Sequence, residues 1–119
     1  MVKIENTRNK SPHLMGRLKT RKLLADKKLR MAVYHLVLPP KTINPEFIHD
    51  KTDEFVYVLN GSARGKINGR KVKMKKNDFF LMPAGTRHQL ETTNTSAEVV
   101  VIFHGKSVSG EIEQRMVKS

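Results

Sequence analysis

His49, Glu54 and His88 are the residues of this 119-residue chain whose types and spacing promise chemistry. Two imidazoles and one carboxylate form the ligand set that first-row transition metals favour, and three protein ligands leave coordination positions open for water or substrate. His49 and Glu54 stand too far apart for one strand to present both. The intervening Asp50-Lys51-Thr52-Asp53 is polar and turn-prone, so the pair is expected to lie across a hairpin. His88 follows the turn Pro83-Ala84-Gly85, which swings the first residue of a third strand toward the same interior. The expected cofactor is one divalent transition metal, with Zn, Mn, Fe and Ni undistinguished. The alternative is a metal-free pocket in which Glu54 hydrogen-bonds to both imidazoles, since a buried carboxylate needs one form of compensation or the other.

Other polar and aromatic residues carry weaker signals. Phe47 reads as a pocket wall that dries the cavity beside the triad and favours ligands with an apolar portion. Arg87 has the reach for a bidentate contact to a carboxylate or phosphate, but strand alternation points it outward. His35 and His104 read as structural, and His13 as solvated. Tyr34, Met74, Phe79, Phe80 and Met82 are core candidates. No second carboxylate, lysine or tyrosine stands out as a general acid or base, so the catalytic residues are unknown from sequence.

The elements that must position the triad are short strands. Lys19 to Leu24 turns through Ala25-Asp26-Lys27-Lys28 into Leu29 to Leu38, which Pro39-Pro40 ends because proline cannot donate to a ladder. Thr42 to His49 and Glu54 to Asn60 follow, with Gly61 as a bulge or bend. Ser62 to Ile67 and Arg70 to Met74 flank Asn68-Gly69, a two-residue hairpin signal because both turn positions want positive φ. Phe79 to Met82, His88 to Thr92 and Ala97 to His104 complete the set. This pattern predicts an all-β sandwich or small barrel. Glu54 to Asn60, Val99 to Phe103 and Met31 to Leu38 are apolar on both faces, so their outer sides need cover from a partner subunit or the terminal arms. A homodimer is expected.

Composition bounds the rest. The length fits one domain with one modest core. Without cysteine, disulfides and thiolate chemistry are excluded. No apolar run reaches membrane-spanning length and the N-terminus has no signal-peptide stretch, so a soluble, cytoplasmic protein with no membrane partner is expected. The net charge of +12 is unevenly spread: the first thirty residues hold ten Lys and Arg against Glu5 and Asp26. Attraction to nucleic acid, acidic lipid or an anionic ligand is one reading of that asymmetry. A solvated basic surface is favoured, because no helix-turn-helix, zinc-finger or aromatic RNA-binding pattern accompanies the charge.

The same residues resemble the cupin superfamily. His49, Glu54 and Gly61 keep the spacing of the family's first motif, and Tyr57-Val58-Leu59-Asn60-Gly61 looks like its run into the glycine. Pro83, Gly85 and His88 match the second motif, with Asn77 where a leading glycine would stand. Phe47 replaces the first histidine of the family's His-x-His pair, and Thr92 stands where an asparagine is usual. The resemblance implies an antiparallel double-stranded β-helix, a jelly-roll-like cupin barrel, over residues 19–104. A basic arm (1–18) and a tail (105–119) flank it, the tail's Glu111 to Val117 forming one strand or a short helix. It also implies a pocket for a small-molecule ligand, with the metal on His49, Glu54 and His88 and isomerase, lyase or dioxygenase chemistry on a small polar or acidic substrate. Two alternatives stand beside it: a non-catalytic module binding a sugar or organic acid, and a nucleic-acid-associated dimer that uses the basic arm.

Overall fold

The structure, a computed structural model, describes residues 2–105 and 115–117. Among these, one 3-10 turn at Thr7–Asn9 precedes ten strands: β1 His13–Met15, β2 Leu18–Asp26, β3 Met31–Leu38, β4 Phe47–Ile48, β5 Asp53–Ile67, β6 Arg70–Lys75, β7 Phe79–Met82, β8 Arg87–Glu91, β9 Ala97–His104 and β10 Arg115–Met116. All pairings are antiparallel. The architecture is all-β, a curled double sheet of the jelly-roll kind.

One strand joins the two sheets. The first half of β5 pairs with β9 and β7 in the order β1-β2-β3-β9-β5-β7, and its second half pairs with β6 and β8 in the order β6-β5-β8-β4-β10. The change of sheet falls at Gly61, where φ is +76° and the ladder to β9 has just slipped register between Val58 and Asn60. A Cβ at Gly61 would stand 1.9 Å from the Ser96 carbonyl oxygen, so only glycine allows this corner. Asn68 and Gly69 take φ of +50° and +80° and close the two-residue hairpin as their types dictate. Asn77, with φ of +75°, fills the left-handed position its sequence context called for.

The inner faces form the core. In β9, Ala97, Val99, Val101 and Phe103 are buried, and Val56 and Val58 of β5 meet them with Leu38, Met74, Met82 and Leu90. The opposite parity of the same strands is apolar too: Phe55, Tyr57, Val100 and Ile102 are half-buried on the outer side, beside exposed Phe79 and Leu81.

Two expectations need correction. The strand expected over Thr42 to His49 shrinks to Phe47–Ile48 plus one isolated bridge between Ile43 and Glu91. Pro45 interrupts it, having no N–H to give a ladder. In addition, β4 pairs with β8 and β10 and not with β5, so His49 and Glu54 are not partners across a hairpin. Smaller shifts lengthen the first strand to Leu18–Asp26 and move its turn to Lys27–Arg30. In the basic arm, β1 adds an edge strand to β2. In the tail, β10 pairs with β4, while residues 111–114 of the expected last element lie outside the described residues.

Candidate metal centre

Each triad residue arrives on a different element. Glu54 is the second residue of β5 and shares its inward parity with Val56 and Val58. His88 is the second residue of β8, inward-facing and opposite Phe47 of β4 and Ile67 of β5. His49 follows β4 directly. The turn before β8 is clamped onto the loop that carries His49: Gly85 N–H donates to the His49 carbonyl at 2.9 Å, and Ala84 N–H donates to Asp53 Oδ1 at 2.9 Å. Those two bonds hold the turn before His88 against the short segment that carries His49 and leads into Glu54, in place of the hairpin the spacing suggested.

At that point His49 Nε2 lies 3.1 Å and His88 Nε2 3.4 Å from Glu54 Oε1. The three side chains are about nine-tenths buried, and their candidate ligand atoms all lie within 4.8 Å of one another. The imidazoles stack at 5.1 Å between ring centres, and Phe103 meets His49 edge-on at 4.9 Å. His88 Nδ1 is 3.2 Å from the Thr86 carbonyl, which only an N–H can satisfy, so in the neutral ring Nε2 carries the lone pair that faces Glu54.

The donor set fits a divalent ion. Glu54 Oε1 is buried, and neither imidazole contact has the alignment of a hydrogen bond. The three groups therefore converge without satisfying one another. Ligands about 2.1 Å from a shared ion sit about 3.0 Å apart at right angles and about 3.4 Å apart at the tetrahedral angle. The observed 3.1 and 3.4 Å fall in that interval.

The triad lies at one side of a cavity of about 490 Å³. Leu18, Leu36, Phe47, Leu90 and Phe103 give it apolar walls. The sequence reading missed the polar part of the lining: Thr20 and Lys22 of β2, Tyr34 of β3, Asn44 in the loop before β4, and Gln89, whose amide holds the Asn44 carbonyl at 2.9 Å. The available signal was alternation, since Leu18, Thr20 and Lys22 share one face of a strand, with Leu36 and Tyr34 opposite. His13, expected to be solvated, is exposed but stands on the cavity's rim.

The remaining candidates lie elsewhere. Arg87 is exposed and outward, as alternation required. Thr92 is buried, donating to the Pro39 carbonyl and accepting from Thr42 N–H at 3.0 Å, so it ties the Pro39–Thr42 turn to the barrel. His104 is exposed at the end of β9. His35 is buried on the outer side, 2.6 Å from Glu98 Oε2, while Asn60 donates to Glu98 Oε1 at 2.9 Å. The Asn60 amide, then His35, hold the Glu98 carboxyl below the ordinary carboxylate range.

Comparison with known proteins agrees with this geometry. A family model described as Cupin domain matches residues 34–104. The tetracenomycin polyketide synthase protein TcmJ of Streptomyces glaucescens is 30% identical over 67 residues, 56% of this chain and 45% of that protein, so the chain spans about half its length. Among solved structures, a predicted oxalate decarboxylase from Thermotoga maritima superposes with a TM-score of 0.80 at 20% identity, covering 87% of this chain and 99% of that one. The polyketide cyclase RemF from Streptomyces resistomycificus gives 0.80 at 19% identity, covering 100% of this chain and 87% of that one. No helix among the described residues is long and apolar enough to cross a membrane.

Proposed function

The chain belongs to the cupin family, and from that premise we propose that it holds one divalent transition metal on His49, Glu54 and His88 and binds a small acidic ligand with an apolar body beside it. One observation carries this reading: two imidazole Nε2 atoms meet a buried carboxylate oxygen that has no aligned hydrogen bond, at the side of a cavity. When bound, such an ion supplies Lewis-acid polarisation of a ligand oxygen, or an activated water.

The chain's own residues do the rest. Thr86 fixes the tautomer of His88 through its carbonyl. Phe47 and Phe103 keep water from the triad's flank, which strengthens electrostatic contacts there. Lys22 is the only ammonium among the described lining residues, and it favours a ligand bearing a carboxylate or phenolate. Tyr34, directly across the ladder from Lys22, and Gln89 supply hydrogen bonds that orient the ligand. The reaction class we assign is isomerase, lyase or dioxygenase chemistry on a small polar or acidic substrate. A non-catalytic binding role is the second reading, favoured by one fact: Glu54 is the only carboxylate among the described lining residues, so no separate carboxylate base stands ready among them. We also propose a homodimer built on the apolar outer face around Phe55, Tyr57, Phe79 and Leu81.

The test is titration of metal-stripped protein with Mn, Fe(II), Ni and Zn, beside His49→Ala and His88→Ala. Wild type should bind one ion per chain and each variant at least about a hundredfold more weakly. Equal, weak binding by all three proteins sinks the metal and leaves a hydrogen-bonded, ligand-holding pocket.

A further inference from the structure

The outer face of the second sheet carries a charge pattern that the cavity does not use. Residues 62–77 contain seven Lys and Arg and no acid. Alternation puts Arg64 and Lys66 of β5 and Lys71, Lys73 and Lys75 of β6 on one side of the hairpin, and all five are exposed. Register sets like against like: Arg64 stands directly opposite Lys73, and Lys66 opposite Lys71. Like charges opposed across an antiparallel ladder destabilise the fold. The next strand, β8, offers one acid, Glu91, which is already engaged with Arg64 at 2.7 Å. At the hairpin tip the Arg87 guanidinium lies 3.6 Å from where a Cβ on Gly69 would stand, extending the patch.

Lysines on an edge strand also keep it from pairing with other chains, and β6 is an edge. That role accounts for Lys71, Lys73 and Lys75. It does not extend to Arg64, which pairs with Glu91, or to Lys66, because β5 is paired on both sides there. Three of the ten N-terminal cations, by contrast, are drawn into contacts: Lys10 pairs with Glu5 at 3.0 Å, Arg17 donates to the Lys41 carbonyl and Arg21 to the Lys10 carbonyl.

We propose that this hairpin face binds the phosphate backbone of double-stranded nucleic acid. Alternate residues on a strand are about 6.6 Å apart and the two strands about 5 Å apart, so the cations form two parallel rows that track a line of phosphates. No aromatic residue lies among the outward positions Ser62, Arg64, Lys66, Lys71, Lys73 and Lys75, so a stacking platform for single strands is missing there. The same positions hold no large apolar side chain to enter a lipid layer. Nothing in the row is shaped to read base edges, and binding is independent of sequence.

The test is fluorescence anisotropy of the full chain on a labelled DNA duplex between about 50 and about 200 mM salt. With four to five phosphates engaged, log K should fall against log salt with a slope of about −4. Lys71→Gln with Lys73→Gln should flatten that slope by about 2 and weaken binding at least about tenfold. Lys27→Gln with Lys28→Gln removes the same charge from the β2–β3 turn and should change neither quantity. Equal losses in both pairs would show an effect of net charge alone and overturn the proposal. So would the absence of salt-dependent binding, a preference for single strands, or binding to phosphatidylserine vesicles without binding to the duplex.

Discussion

Replacing Glu54 with Gln separates the metal-holding triad from the metal-free one, because the two make opposite demands on a single oxygen. The change keeps the shape of the side chain and removes its charge. In wild type the carboxylate is about nine-tenths buried with Oε1 facing two imidazole nitrogens at 3.1 and 3.4 Å and aligned with neither. If those nitrogens present lone pairs, the chelated protein holds a buried charge poorly compensated, and Glu54→Gln leaves its stability unchanged or raises it by about 1–3 kcal/mol. With metal, the order reverses. An ion supplied at a hundred times its dissociation constant stabilises the wild type by about 2.7 kcal/mol. A chain of this length has a melting entropy of about 0.25 kcal/mol/K, so that gain raises Tm by about 11 °C. A variant that binds a hundredfold more weakly gains only about 0.4 kcal/mol, less than 2 °C. Thermal melts by calorimetry, in chelator and in each metal, measure all four values. If the variant melts several degrees below wild type in chelator, Glu54 is hydrogen-bonded to the histidines and the metal-free account is right. If the two proteins gain equally from metal, the ion sits elsewhere and the triad argument fails.

Two further outcomes follow from the outer face. Glu98 has its carboxyl held below the ordinary range by the Asn60 amide and His35, so its stabilising contribution is present above the unfolded-state pKa of about 4.3 and is lost as pH falls through the lowered value. Urea midpoints of wild type and Glu98→Gln should therefore differ at neutral pH and converge in acid; a gap that stays constant across pH would remove the linkage. Phe79 and Leu81, 66% and 62% exposed beside Phe55 and Tyr57, anchor the proposed dimer face. Sedimentation should give twice the 13.6 kDa chain mass for wild type and the chain mass for Phe79→Asp with Leu81→Asp, and a wild type that sediments as a monomer ends the dimer proposal.

What the residues announced about themselves was local conformation, and what they withheld was pairing. Asn68-Gly69, Gly61 and Asn77 each require a backbone angle that few residue types tolerate, so their turns were legible one at a time. The triad was legible for a related reason: its members sit beside such turns, and alternation along β5 and β8 fixes which way Glu54 and His88 face. The route by which His49 joins them was not. Periodicity favoured a full strand from Thr42 to His49, although Pro45 sits inside it, and a strand there would have faced Glu54 across a hairpin. The proline shortens the strand to Phe47–Ile48, and its partners are β8 and β10, a choice made by long-range contacts that no local pattern encodes. The cavity's polar mouth was hidden in the same way. Lys22 and Tyr34 look unremarkable on their own strands and become neighbours of the triad only when the first sheet curls over the second. The charge pattern shows the distinction most sharply. Counting along the chain weights the first thirty residues, where Lys10, Arg17 and Arg21 are taken up by contacts within the fold, whereas register between β5 and β6 sets a shorter cationic run face to face with itself. Electrostatic function belongs to the surface that pairing creates, and it is there, on the hairpin, that a polyanion should be sought.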